Sequence, residues 1–294
     1  MQHSRANIWW LAVRPKTLGA AIAPVLMGIA MAWVDDRYDM ASAAAAMCGA
    51  LLLQIAANFA NDYFDWKKGA DDERRVGPVR VVSAGLVAPA TMRIAIAATL
   101  LAVIPLAAFL VWRAGPAFIA IAVAGIVFAL LYTGGPMPLA YVGLGDVAAF
   151  AFFGPVAVAG TYAAQAQRFE WLPAIAGVGP GCLAMALLAV NNLRDREGDA
   201  AAHKRTLAVR FGATFARMEI VCSVLAAAAI PIALAWWTHR WFVIAASLAC
   251  ATMVPSIRAV MAGAEGMTLN RVLAATGRLM LLYGAAFSIG WIVR

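Results

Sequence analysis

Read for hydropathy alone, the chain is a series of long apolar runs separated by short polar ones. Nine runs approach the ~20 residues that a helix needs to cross hydrocarbon. They lie at roughly 17–34, 40–60, 93–112, 116–133, 145–163, 172–190, 217–237, 241–257 and 272–292. In lipid every backbone polar group must be satisfied within the protein, so runs of this length predict α-helices. Pro24, Pro105, Pro155, Pro231 and Pro255 fall inside them, as membrane helices tolerate when neighbours satisfy the freed groups. Abundant Ala and Gly let helix axes approach closely. The pattern predicts an all-α membrane protein, a bundle of about nine transmembrane helices forming one polytopic domain over 1–294. The turn at 238–241 is the shortest link in that count.

Composition sharpens the class. The 294 residues are 64% hydrophobic and 13% charged, with mean hydropathy +0.81; soluble domains are nearer half apolar and a quarter charged. The formal net charge is +8, which on a soluble protein would suggest nucleic acid. No stretch interleaves basic and aromatic residues, so a nucleic-acid partner is excluded and the lipid bilayer is the expected surroundings. The charge is laid out by side instead. With the N-terminus in the cytoplasm, eighteen of the 23 Lys and Arg fall on cytoplasmic segments, as the positive-inside rule requires. The remaining five are Arg37, Arg113, Arg168, Arg240 and Arg294. Cys48, Cys182, Cys222 and Cys250 all lie in apolar runs, without metal or disulfide spacing, and are read as small buried hydrophobes. His3, His203 and His239 are scattered. No A-x-A-like cleavage site follows the first apolar run, which is read as a retained span.

Two polar segments, 61–92 and 191–216, interrupt the apolar pattern at the cytoplasmic ends of predicted helices. The first opens with "NFANDYFDWKKGADDERR" (58–75) and the second with "NNLRDREGDAAAHKR" (191–205). Asn58 and Asp62 are four apart, as are Asn191 and Asp195, and Asp195 and Asp199; Asp62 and Asp65 are three apart. These spacings line side chains along one face of a helix. Like charges stacked this way repel, so something must compensate. Mg²⁺ takes one or two carboxylates plus substrate phosphates, and two acidic columns with Lys and Arg around them suit a diphosphate bridged by that ion. The plain alternative is a solvated loop obeying the positive-inside rule, and Asp72 and Glu73, off the helical stripe, fit that reading better. A transporter for a divalent cation or phosphate is the alternative of another class. Transporters place polar groups near mid-membrane, whereas these acids sit at helix ends on one side.

These residues resemble the signature of the UbiA-type intramembrane prenyltransferase superfamily. "NDYFDWKKGAD" is similar to its N-D-x-x-D-x-x-x-D motif and "DREGD" to its D-x-x-x-D motif, although five residues separate Asp65 from Asp71 where many members have three. "RPKTLGAAIAPVLMG", "GPVRVVSAG", "YTGGPMPLAYVGLGD", "FFGPVAVAGTY" and "NNLRDREGDAAAHKRTLAVRFG" resemble the branch that prenylates 1,4-dihydroxy-2-naphthoate. The resemblance runs from residue 14 to 212. One departure is Asp146, where many relatives are expected to carry Glu.

The resemblance implies a helical bundle around a central cavity, with a polar mouth at the cytoplasmic surface of the cell inner membrane and the two acidic motifs facing each other there. It implies transfer of a polyprenyl chain from an allylic diphosphate to 1,4-dihydroxy-2-naphthoate with loss of CO₂, giving demethylmenaquinol for menaquinone; 4-hydroxybenzoate is the alternative acceptor. Asp62, Asp65, Asp195 and Asp199 would carry Mg²⁺ and the catalysis, with Asn58, Asn191 and Asp71 as further metal oxygens. Lys67, Arg80, Lys204 and Arg205 would grip the diphosphate. Arg14 and Lys16 would meet the carboxylate of the aromatic acid, and Tyr63, Tyr132 and Tyr141 would offer aromatic faces near it; each tyrosine is equally read as an interfacial anchor. The Gly- and Pro-rich 132–146 loop is read either as a lid or as a plain turn.

Overall fold

The computed structural model describes residues 4–69, 77 and 79–293. A short helix α1 (Arg5–Val13) precedes the first long one, α2 (Pro15–Val34). Arg14 separates them in the left-handed region, φ 54°. The break between the two helices is local: the residue before a proline is pushed out of the right-handed helical region, and Pro15 then opens α2, where its missing N–H costs nothing. Next come α3 (Met40–Lys67), α4 (Pro89–Ala114) and α5 (Ala117–Leu131). Then follow α6 (Gly145–Ala166), α7 (Trp171–Arg194), the one-turn helix α8 (Arg196–Ala201), α9 (Leu207–Thr238), α10 (Trp241–Met261) and α11 (Gly266–Ile292).

Eight of these helices are long and apolar enough to cross a membrane among the described residues, and α5 is a shorter apolar helix of 15 residues. All nine expected runs are helical. Several exceed the expected bounds because polar residues continue the helix beyond the hydrocarbon-compatible stretch. The run at 40–60 is the clearest case. Past Gly49, which the helix accommodates, no Gly or Pro occurs until Gly69, whose φ of 64° ends α3 in the way glycine commonly ends helices. Asn58, Asn61, Asp62 and Asp65 therefore all sit on regular helix. The run at 172–190 extends to Arg194 but breaks at Asp195 (φ −94°, ψ 5°) before α8 begins. The stripe Asn191–Asp195–Asp199 is therefore bent, not straight.

The main core joins α2, α6, α7, α9, α10 and α11 around Met27, Leu183, Ile220, Leu279, Tyr283 and Phe287. A smaller core joins α1, α3, α4 and the 81–87 segment around Phe59, Val81, Val82 and Met92. Small residues let the axes approach. A side chain at Gly154 or Gly177 would strike the other's backbone at under 3 Å, and one at Gly179 would strike the Tyr283 hydroxyl. At Gly154 the backbone leaves helical geometry (φ −123°, ψ −109°) inside a π turn, Phe152–Val156; such turns often mark functional positions. The outer surface is apolar, with Leu101, Leu225, Leu248 and Ile289 exposed. That is the inverse of a soluble protein, and it identifies a multi-pass membrane protein. Among the described cysteines, Cys182 and Cys250 are buried as expected, whereas Cys48 and Cys222 face outward; all four are free thiols. In lipid an outward thiol meets hydrocarbon, so an apolar run does not distinguish the two positions.

Candidate active site

The polar ends of α3 and α7 lie at the same end of the bundle, facing across a hollow lined by Asn61 and Asn191. On α3 the expected stripe of Asn58 and Asp62 meets Val13, Thr17 and the backbone of Val81 and Val82. Asn61, Asp65 and Lys68, at i, i+4 and i+7, form the neighbouring stripe. Asn61 accepts a hydrogen bond from Arg80, and Asp65 is held by the same guanidinium at 2.6 Å in an ion pair with both side chains about 95% buried. Lys68 donates to the Thr133 carbonyl at 2.9 Å and sits 4.0 Å over the Tyr141 ring. Lys204 approaches the same ring at 5.8 Å and pairs with Asp199 at 3.3 Å. The Tyr141 hydroxyl lies 3.4 Å from Asp65. Tyr141 is therefore the point where the two acidic segments converge. The 132–144 loop carrying it is fastened by Arg205 N donating to Tyr141 O at 3.1 Å and by Arg210 donating to Val142 O at 2.8 Å.

On α7, Arg194 organises the second segment. Its side chain is fully buried and forks onto both oxygens of Asp195 at 2.8 and 2.6 Å. It also donates to Asn191 at 2.7 Å and to Asn270 of α11 at 2.8 Å. Asp199 is buried, and its Oδ2 has no hydrogen-bond partner. Burial pushes this carboxyl above the usual range, opposed by the Lys204 ammonium. Burial and the nearby Asp65 charge raise the Tyr141 phenol, so it remains protonated at neutral pH.

Asp62 is engaged by the backbone of the loop that carries Arg80. It is fully buried, and its two oxygens accept the backbone N–H groups of Val81 and Val82 at 3.0 and 3.1 Å. Asn58 is engaged as well. Its amide donates to Val13 O at 2.8 Å and Thr17 Oγ1 at 3.0 Å, which ties α3 to the break at Arg14. Lys67 is exposed and stands two residues from Asp65, on another face of the helix. Arg205 is exposed and serves through its backbone. Lys16 is exposed too, and Tyr63 packs on Phe64 and Trp66, against the smaller core. Asp71 lies outside the described residues.

Two hollows lie side by side in the bundle, the first reaching the acidic end through Asn61 and Asn191. One, of about 810 Å³, is lined by Arg14, Thr17, Asn58, Asn61, Asn191 and Tyr132 together with apolar side chains. The other, of about 1030 Å³, is walled almost wholly by Ala, Leu, Val, Ile, Gly and Phe from α2 to α6. They share Gln54, Ala57, Phe128 and Phe153 as a common wall. Phe128 stacks on Phe152 at 4.5 Å within the π turn region. A chain that starts at the polar end can thus continue into apolar space, while a flat polar molecule fits beside it.

Among the described residues no three His, Cys, Asp or Glu side chains form a ready-made metal cage. Mg²⁺ does not need one, since it takes few protein carboxylates and completes its shell with phosphate and water. Hard oxygen donors from both segments, and the unpartnered Asp199 oxygen, fit such an ion. Arg194 and Asn61 were not expected as site residues, and Lys68 only as one of several basic neighbours of the acids, some of which could hold phosphate. The signal for each was present in the spacing: Asn61 and Lys68 lie four before and three after Asp65, and Arg194 lies three after Asn191.

The model of the UbiA prenyltransferase family matches residues 21–267. The 1,4-dihydroxy-2-naphthoate octaprenyltransferase of Mycobacterium tuberculosis is 41% identical, covering 95% of this chain and 94% of that protein. The protein of the same name from Haemophilus influenzae is 34% identical, covering 100% and 98%. Among solved structures, the apo form of a UbiA homologue from Aeropyrum pernix superposes with TM-score 0.70 at 14% identity, covering 98% and 99% of the two chains. A UbiA homologue from Archaeoglobus fulgidus bound to GPP and Mg²⁺ superposes with TM-score 0.62 at 13% identity, covering 96% and 99%.

Proposed function

This chain belongs to the UbiA prenyltransferase family, and we propose that it transfers a polyprenyl chain from its diphosphate to 1,4-dihydroxy-2-naphthoate, with loss of CO₂, to give demethylmenaquinol. The observation that carries the reading is the convergence of the two acidic segments on Tyr141 beside two hollows of opposite character. Full-length similarity to enzymes named for this reaction supports the aromatic acid.

In this reading Asp65, Asp195 and Asp199 hold Mg²⁺, with Asn61 and Asn191 as neutral oxygens. When bound, the ion neutralises charge developing on the leaving diphosphate. Arg80, Lys68 and Lys204, now resting on carboxylates, a carbonyl and the Tyr141 ring, turn to the diphosphate oxygens, where cationic donors stabilise the departing group. The apolar hollow receives the isoprenoid tail and keeps water from the allylic carbon. Arg14 in the smaller hollow meets the carboxylate of the naphthoate, and the Phe128 and Tyr132 rings flank the flat acceptor. The electron-rich ring carbon attacks the allylic carbon as its bond to diphosphate breaks, and the carboxylate at that ring carbon leaves as CO₂. The site opens to the cytoplasm, and the N-terminus lies on the same side of the cell inner membrane. Purified protein given a prenyl diphosphate, Mg²⁺ and equal amounts of dihydroxynaphthoate and 4-hydroxybenzoate is expected to prenylate the naphthoate; preferential prenylation of the benzoate rejects the acceptor named here.

A further inference from the structure

We infer that Asp62 is a positioning residue that holds the Arg80 loop, and that it is not a ligand of the metal. The inference deepens the reading above, since it assumes that magnesium diphosphate binds between the two acidic segments.

The carboxylates differ in their partners. Asp65, Asp195 and Asp199 are paired with side-chain cations, Arg80, Arg194 and Lys204. Arg80 and Lys204, on flexible stems, can rotate to an incoming phosphate and leave their carboxylates for a metal ion; Arg194 is fully buried and stays, while Asp195, 15% exposed, keeps further lone pairs to offer. Asp62 is held differently. Its oxygens take two consecutive backbone N–H groups, Val81 at 3.0 Å and Val82 at 3.1 Å, at a site with no solvent access. Val81 and Val82 are themselves buried in the smaller core. Their N–H groups cannot rotate away, and a carboxylate that left them would strand two buried donors, which folded proteins avoid.

The same grip sets the turn that follows. Ala84 N donates to Arg80 O at 2.9 Å, and Leu86 N and Val87 N both donate to Val81 O, at 2.9 and 3.1 Å. Arg80 is the residue immediately before the gripped pair, and its guanidinium reaches Asn61 and Asp65 one helical step from Asp62. Asp62 and Asp65 thus divide the labour on one helix. Asp62 fixes the loop backbone from one face, and the loop returns Arg80 to the Asp65 face. The motif spacing serves the loop as much as the ion.

Hydrogen–deuterium exchange on the purified full chain tests this without any substitution. The Val81 and Val82 amides should stay protected when Mg²⁺ and inorganic diphosphate are added. Faster exchange at these amides on addition would overturn the inference, because it would mean Asp62 had left them for the ion. Variants give independent arms. Asp62→Asn, which keeps one acceptor and introduces an opposed N–H, should expose Arg80 to trypsin and raise KM for geranyl diphosphate by about tenfold. Mn²⁺ affinity, read by electron paramagnetic resonance with inorganic diphosphate present, should stay within about twofold of wild type, whereas Asp65→Asn should weaken it about tenfold. Asp62→Asn combined with Arg80→Ala should be no worse than Arg80→Ala alone, since the first acts through the second. Equal loss of Mn²⁺ affinity in Asp62→Asn and Asp65→Asn, or multiplying losses in the double variant, would overturn it. Failure of the underlying functional reading is separate: it would show as wild-type protein that transfers no prenyl group with Mg²⁺ present.

Discussion

At the scale of residues, the site depends on which of two adjacent helical stripes faces inward. Asn58 and Asp62 make one stripe, and Asn61, Asp65 and Lys68 make the next. Sequence spacing shows both and ranks neither, because the choice is made by partners far along the chain: Val13 and Thr17 for Asn58, Val81 and Val82 for Asp62, and Arg80 for Asp65. The acids were legible as site material; what each oxygen does was not. Tyr141 shows the same limit. Its place between Lys68, Lys204 and Asp65 comes from the path of a loop that no periodicity encodes. Its ring matters more than its hydroxyl, since a 3.4 Å contact is long for an O–H···O bond and worth less than about 1 kcal/mol. Tyr141→Phe is therefore expected to keep kcat/KM within about fivefold, and Tyr141→Ala, which removes the surface shared by the two ammonium groups, to lose about tenfold or more. Steady-state kinetics on both variants check this; equal losses would transfer the role to the hydroxyl.

At the scale of elements, the apolar runs predicted every long helix, because hydrocarbon length is a strong constraint. Breaks were less visible. Arg14 could have been read from Pro15, but the bend at Asp195 has no Pro beside it and follows from Arg194 holding both Asp195 and Asn191 while the chain turns into α8. Close helix crossings were foreseen only as abundant Ala and Gly, not as particular pairs. Gly179 is one such pair member. An ideal side-chain carbon there would lie 2.0 Å from the Tyr283 hydroxyl, which donates to Ala227 O at 3.0 Å and so ties α11 to α9. Gly179→Ala is expected to destabilise the bundle by about 1–3 kcal/mol through overpacking. Thermal unfolding in detergent measures it, and a midpoint equal to wild type would contradict the packing described.

At the scale of the whole molecule, charge asymmetry, the shared end of the two acidic segments and the adjoining hollows make one arrangement. From the positive-inside count we propose that this end is cytoplasmic. Glu197, exposed on α8, and Arg168, exposed between α6 and α7, then lie on opposite sides. In a cysteine-free background, Glu197→Cys should react with a membrane-impermeant maleimide only in inside-out vesicles, and Arg168→Cys only in right-side-out ones; the reverse pattern would invert the topology. The central claim concerns chemistry at the acidic end, and carboxyl-labelled dihydroxynaphthoate tests it most directly. With a prenyl diphosphate and Mg²⁺, the purified protein should release one labelled CO₂ for each prenyl group transferred. Release should stop with a chelator and fall at least about a hundredfold in Asp199→Asn. Prenylated product that keeps its label, or release indifferent to both chelator and Asp199, would contradict the account.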